Sequence, residues 1–142
     1  MSLDRGFQPH LEADLATDVA KHQPTVLLVE DDENTLFAMN ELLTREGYLV
    51  LTAASGHDAI GMFQKPLSPI DLVLLDMRLP DVEGVALGSR IRELRPLLPI
   101  LAFSGQADPE EVATLVKLGA VCYLRKPIGA DELLLAIGKA LA

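Results

Sequence analysis

Glu30, Asp31, Asp76, Ser104 and Lys126 each stand at or just beyond the end of a short apolar run, and their side chains are the parts that phosphoryl chemistry uses. Thr25-Val26-Leu27-Leu28-Val29 leads into Glu30-Asp31-Asp32, and the run from Ile70 to Leu75 leads into Asp76. Pro99 to Phe103 precedes Ser104-Gly105, and Val121 to Leu124 precedes Arg125-Lys126-Pro127. Runs of this length, rich in Val, Ile and Leu, read as strands buried on both faces. Open parallel sheets bind ligands at the carboxyl ends of their strands, so three carboxylates, a hydroxyl and a lysine are expected on one rim.

The chemistry explains why these types belong together. Glu30, Asp31 and Asp76 crowded together repel one another, which raises at least one pKa unless a cation lies between them. A hard divalent ion with oxygen ligands, Mg2+ above all, suits a site of one or two carboxylates plus phosphate and water. With the metal bound, a carboxylate stays ionised and can attack phosphorus to give an aspartyl phosphate. Lys126 supplies a point charge to one phosphoryl oxygen, and the Ser104 hydroxyl a hydrogen bond to another.

Between the apolar runs the period changes from strand to helix. Leu36, Met39, Asn40, Leu42 and Leu43 form a mostly apolar stripe for a first helix that Gly47 ends. Tyr48–Ala53 reads as a shorter strand at an edge. Ser55 caps a second helix running through Phe63, with Pro66 and Pro69 in the loop after it. Residues 82–95 read as a third helix whose start Gly84 and Gly88 weaken. Asp108-Pro109-Glu110-Glu111 is a strong helix start, with a capping Asp, Pro at the first helical position and acids facing the dipole. Gly119 ends that fourth helix, and residues 130–141 give a fifth with Leu133, Leu134 and Ile137 as its buried stripe. Five alternations of strand and helix predict an α/β domain: a doubly wound five-stranded parallel sheet in the order 2-1-3-4-5 with five helices.

Composition narrows the alternatives. A chain of 142 residues with 49% apolar side chains suits one globular domain with a sizeable core. Its net charge of -9, from 12 basic and 21 acidic side chains, disfavours direct binding to nucleic acid or anionic lipid. No apolar stretch reaches the length of a membrane span, and the amino terminus lacks a signal peptide's basic start and apolar centre. The single Cys122 excludes an internal disulfide and is compatible with a reducing cytoplasm, the expected location. It is expected as a buried, inert thiol in its strand. His10, His22 and His57 lie in polar surroundings without metal-ligand spacing and are assigned to the surface.

Four motifs in this order carry a resemblance to a known family. Leu28-Val29-Glu30-Asp31-Asp32-Glu33, Leu75-Asp76-Met77-Arg78-Leu79-Pro80-Asp81 with Gly84, Phe103-Ser104-Gly105 and Tyr123-Leu124-Arg125-Lys126-Pro127 resemble the receiver domain of a two-component response regulator. The resemblance covers residues 24–142 and implies a flavodoxin-like fold. It further implies Asp76 as phosphoacceptor, Asp31 as a direct Mg2+ ligand, Glu30 acting on the metal through water, and the backbone carbonyl of Arg78 completing the protein ligands. Ser104 and Lys126 would hold the phosphoryl group, Tyr123 would be an aromatic switch, and the Lys126-Pro127 bond would be cis. Arg78 and Gln106, each two residues beyond a site residue, are implied to flank the path of attacking water and so to tune phosphoryl lifetime. Asp32 reads as a solvent-facing helix start rather than a ligand, and Tyr123 is as compatible with packing as with switching.

The implied function is a signalling domain that catalyses only its own phosphorylation and dephosphorylation. It would take a phosphoryl group from a sensor histidine kinase or a histidine phosphotransfer protein and switch its 4-5-5 face, residues 107–118 and 121–141. Its effector is open, as is a homodimer through that face or through an amino-terminal helix. Two other classes stand beside this reading: a pseudo-receiver that is never phosphorylated, and a haloacid dehalogenase-type phosphohydrolase. The latter needs an Asp as general acid where this chain has Arg78. Residues 1–23 form an extension or linker, in which Leu11, Leu15 and Val19 suit one amphipathic helix over Pro9–His22. Met1-Ser2-Leu3 resembles a vector-derived start, as in a segment cut from a longer protein. A stand-alone receiver, a phosphorelay shuttle and the receiver of a hybrid kinase all stay open, the Pro- and Ala-bearing amino-terminal segment slightly favouring the last.

Overall fold

The computed structural model describes residues 23–65, 69–106, 108–120 and 122–142. In chain order the elements are β1 (Thr25–Val29), α1 (Glu33–Arg45), β2 (Leu49–Ala53), α2 (Gly56–Phe63), β3 (Leu72–Asp76), α3 (Gly84–Leu94), β4 (Ile100–Ser104), α4 (Pro109–Lys117), β5 (Cys122–Arg125) and α5 (Ala130–Leu141). The strands form one parallel sheet in the order β2-β1-β3-β4-β5, as the alternation predicts. The expected helix over Pro9–His22, with His10 and His22, lies outside the described residues.

The three central strands are buried along their whole length and alternate between two cores. Leu27, Val29, Val73, Leu75, Ile100 and Ala102 face one side and pack with Ala59 and Phe63 of α2, Leu87 and Ile91 of α3, and Leu115 of α4. Val26, Leu28, Leu72, Leu74, Leu101 and Phe103 face the other side, against Met39 and Leu43 of α1 and Leu133 and Ile137 of α5. This is the period-2 division of a sheet covered on both faces.

Local chemistry sets the boundaries. Asp32, Ser55 and Asp108 cap α1, α2 and α4, accepting hydrogen bonds from the amides of Thr35, Asp58 and Glu110. Gly47 and Gly119 take φ of +96° and +81° just after α1 and α4, where a side chain would be strained. The third helix begins at Gly84 rather than at residue 82. A Cβ at Gly84 would lie 2.6 Å from the Met77 Cα, so glycine lets the helix start close on the end of β3.

Three expectations are corrected, two in β5 at the edge of the sheet and one in α5. The described part of the fourth apolar run, Cys122–Leu124, is not buried on both faces, because β5 is an edge strand and only Leu124 within it is buried. Cys122 is therefore half-buried rather than sealed in the core. In α5, Leu133 and Ile137 are buried, whereas Leu134 is only partly so.

Candidate functional site

Parallel pairing brings the strand ends to one rim. Val29 pairs with Leu75, which sets Glu30 beside Asp76, and Asp76 pairs with Phe103, one residue before Ser104. Ser104 pairs with Arg125, one residue before Lys126. Asp76 and Ser104 are thus the last residues of their strands, inside the hydrogen-bonded ladder rather than in the loops after it. Glu30, Asp76 and Ser104 are all buried, and Asp31 is exposed at the mouth. One carboxylate oxygen from each of Glu30, Asp31 and Asp76 lies within 4.8 Å of the others.

Lys126 spans this group. Its amide donates to the Ser104 carbonyl at 2.8 Å, and the peptide bond to Pro127 is cis, as the resemblance implies. Its Nζ donates to Glu30 Oε1 at 2.9 Å and to Asp76 Oδ2 at 3.3 Å, and stands 5.2 Å from the centre of the Phe103 ring. Burial and the neighbouring Asp76 raise the Glu30 pKa, although Lys126 and the Asp32 amide pull it down. Crowding does raise a carboxylate pKa, as expected, but burial is the larger cause. Burial also opposes the Lys126 charge, yet Glu30 and Asp76 outweigh it and raise the lysine pKa.

The remaining residues surround this centre. The Ser104 hydroxyl accepts from the Gln106 amide at 3.2 Å, and the half-buried Tyr123 hydroxyl donates to the Gln106 carbonyl. The Arg78 amide donates to Asp76 Oδ1 at 2.9 Å while its side chain reaches to α4. There the guanidinium grips Glu111 with two hydrogen bonds, of 2.7 and 2.9 Å, and reaches Gln106 Oε1 at 3.4 Å. Asp32 is exposed and spent on capping α1, in keeping with its reading as a helix start. His57 is exposed. An open groove of about 560 Å³, lined by α1, α5 and the Lys126–Ile128 turn, runs from Asn34 past Lys126 to Leu133.

Three partnerships have no counterpart in the sequence reading. Lys126 pairs with Glu30 as well as with Asp76, Glu111 holds Arg78, and Asp81 accepts from the amides of Gly56 and His57 at 2.9 Å each. In the sequence Glu111 reads only as an acid in the first turn of a helix, and Asp81 only as the end of the motif that begins at Leu75. Each contact joins residues more than twenty positions apart, which no local pattern records.

Comparison with known proteins agrees with this geometry. The family model of the response regulator receiver domain matches residues 26–138. Transcriptional regulatory protein ZraR of Salmonella typhimurium is 37% identical over 117 residues, which are 82% of this chain and 26% of that protein. Transcriptional regulatory protein GlrR of Escherichia coli is 31% identical over 121 residues, 84% of this chain and 27% of that one. The chain therefore spans about a quarter of the length of these relatives. The crystal structure of a CheY-like response regulator receiver domain protein from Methanospirillum hungatei superposes with a TM-score of 0.80 at 30% identity, covering 84% of this chain and 94% of that one.

The chain belongs to the response regulator receiver domain family. It is a module of two-component signalling rather than an enzyme in the ordinary sense, and its fold is the flavodoxin-like one of its neighbours. No helix among the described residues is long and apolar enough to cross a membrane.

Proposed function

We propose that residues 24–142 receive a phosphoryl group on Asp76 from a sensor histidine kinase or a histidine phosphotransfer protein. The observation that carries this reading is the placement of Lys126 Nζ between Glu30 and Asp76, at 2.9 and 3.3 Å, at the rim where the acidic triad and the Ser104 hydroxyl meet. An Asp76 carboxylate oxygen attacks phosphorus, the bond from phosphorus to the donor nitrogen breaks, and an acyl phosphate forms. Lys126 then turns from the carboxylates to a phosphoryl oxygen, and the Ser104 hydroxyl, free to rotate, donates to another.

The triad fits a divalent cation, since it offers only carboxylate oxygens within a few ångströms of one another. Glu30, Asp31, Asp76 and the Arg78 carbonyl would hold Mg2+, with Glu30 acting through water. Bound there, Mg2+ supplies charge neutralisation for the carboxylates and the incoming phosphoryl oxygens. Arg78 and Gln106 flank the acceptor and belong to the control of phosphoryl lifetime.

The 4-5-5 face is the proposed output. Val116 on α4 and Leu135 on α5 are 68% and 61% exposed there, beside half-buried Cys122 and Tyr123, which suits a surface read by a partner. The haloacid dehalogenase-type reading is disfavoured by the place of its general acid, taken by a guanidinium held on Glu111. Mass spectrometry after incubation with acetyl phosphate and Mg2+ tests the proposal. A phosphoryl adduct on Asp76 that disappears in Asp76→Asn is expected. An adduct that survives and maps elsewhere removes Asp76 from its role, sustained phosphate release favours the hydrolase, and no adduct at all favours a pseudo-receiver.

A further inference from the structure

The Arg78–Glu111 pair differs from the surface ion pairs of α1 and α3. Those join exposed side chains within one helix at 3.8 and 3.6 Å. Arg78 and Glu111 instead join two elements through a fork of two hydrogen bonds, and the Glu111 side chain is only 18% exposed. The fork fastens the first turn of α4 to the loop that leaves the proposed acceptor. Its arginine also meets Gln106, whose amide holds the Ser104 hydroxyl and whose carbonyl holds Tyr123. Among the described residues, Arg78 is the one bound at its backbone to the Asp76 carboxylate and at its side chain to α4.

A phosphoryl group on Asp76 would change which anion suits that guanidinium. A phosphorylated side chain carries about -1.5 to -2 charges and three acceptor oxygens, against a single charge on Glu111. A guanidinium recognises both carboxylate and phosphate with paired donors, so the two anions compete for the same fork. In the unmodified domain Glu111 holds the Arg78 guanidinium through both hydrogen bonds of the fork.

We propose that Arg78 is a further phosphoryl-binding residue, held in reserve by Glu111, and that its transfer from Glu111 to the phosphoryl group releases α4. The inference rests on Asp76 being the acceptor. Its direction follows from linkage: if phosphoryl binding favours the open fork, opening the fork by mutation must favour phosphoryl binding.

The test uses beryllofluoride with Mg2+ as a non-covalent phosphoryl mimic, titrated into the full chain and followed by amide chemical shifts. Glu111→Gln, which keeps shape and removes charge, should bind the mimic more tightly by a factor within the roughly 5- to 150-fold range of allosteric coupling. It should also move α4 resonances part of the way without any mimic. Arg78→Ala should abolish the gain in the double variant Arg78→Ala/Glu111→Gln, because the released guanidinium is then missing. Arg78→Lys should recover only part of it, having charge without the fork. Equal affinity in wild type and Glu111→Gln overturns the fork alone. So does a gain that persists in the double variant. Wild-type protein that binds no mimic and forms no acyl phosphate overturns the proposed function and the fork with it.

Discussion

At the residue scale, Lys126 decides the electrostatics of the site. Glu30 is fully buried, and a buried carboxylate is costly unless paired. Lys126 is the pair, so the lysine and a divalent cation oppose each other across the same carboxylates. Lys126→Met should therefore split two properties that a general loss of structure would lower together. Mg2+ affinity should rise about tenfold, the scale of a +2/+1 repulsion worth about 1.5 kcal/mol across a few ångströms of water-like dielectric. Acceptance of a phosphoryl group from acetyl phosphate should fall, because the charge that meets the incoming oxygens is gone. A Mg2+ titration and a phosphorylation time course on one protein sample check both halves; a fall in both would return Lys126 to a structural role.

The same residues mark how far the sequence alone reaches. Glu30, Asp31, Asp76, Ser104 and Lys126 could be placed on one rim because each closes an apolar run, and parallel strands put such ends together. Glu111 could not be placed there. Its partner is thirty-three positions away, and only the closing of α4 over the loop after β3 brings the two together. Local patterns record faces and ends, whereas side-chain pairing across elements is a property of the closed fold.

At the element scale, the β3–α3 loop is fastened at both flanks. Arg78 reaches α4, while Asp81 accepts from the first two amides of α2, Gly56 and His57. Asp81 thus works with Ser55 to satisfy the helix's open amides, from a different part of the chain. The hydrogen bonds from Gly56 and then His57 lower the Asp81 pKa. Its folded-state value lies below the unfolded one, so its stabilising contribution is present in full above the unfolded pKa. It is lost as pH falls through the folded pKa. Wild type should therefore be more resistant to urea than Asp81→Asn at neutral pH, and the two midpoints should converge on acidification. A separation that stays constant into the acid range would leave the charge of Asp81 without a part in the cap. The element boundaries themselves were readable where a cap or a glycine marks them, as at Ser55, Asp108 and Gly119. They were not where burial decides, as in β5, whose apolar sequence is that of a central strand although it forms the edge.

At the scale of the whole molecule, the three central strands form a buried floor, and β5 and α4 lie on it with far less of their surface enclosed. β1, β3 and β4 are buried throughout, whereas β5 has one buried residue and α4 one. Few buried contacts mean a low cost of local rearrangement, which is where a two-state element belongs. Ser104 connects floor and edge. Its hydroxyl now accepts from Gln106, and Gln106 holds Tyr123 through its carbonyl. On the proposed function, a phosphoryl group that takes over the Ser104 hydroxyl would draw the loop after β4 inward, end the Gln106–Tyr123 contact and let the ring turn into the vacated space. Phosphorylation acts through its differential stabilisation of one of two arrangements, and contacts of about 1–3 kcal/mol shift that balance about 5- to 150-fold. Ser104→Ala keeps Asp76, Lys126 and the acidic triad, so it should still be phosphorylated. It removes the hydroxyl through which the loop is drawn, so phosphorylation should perturb amide shifts of residues 108–120 and 122–124 far less than in wild type. Equal perturbation in the two phosphorylated proteins would place the transmission elsewhere, and the Arg78–Glu111 fork would then be the remaining route from Asp76 to α4.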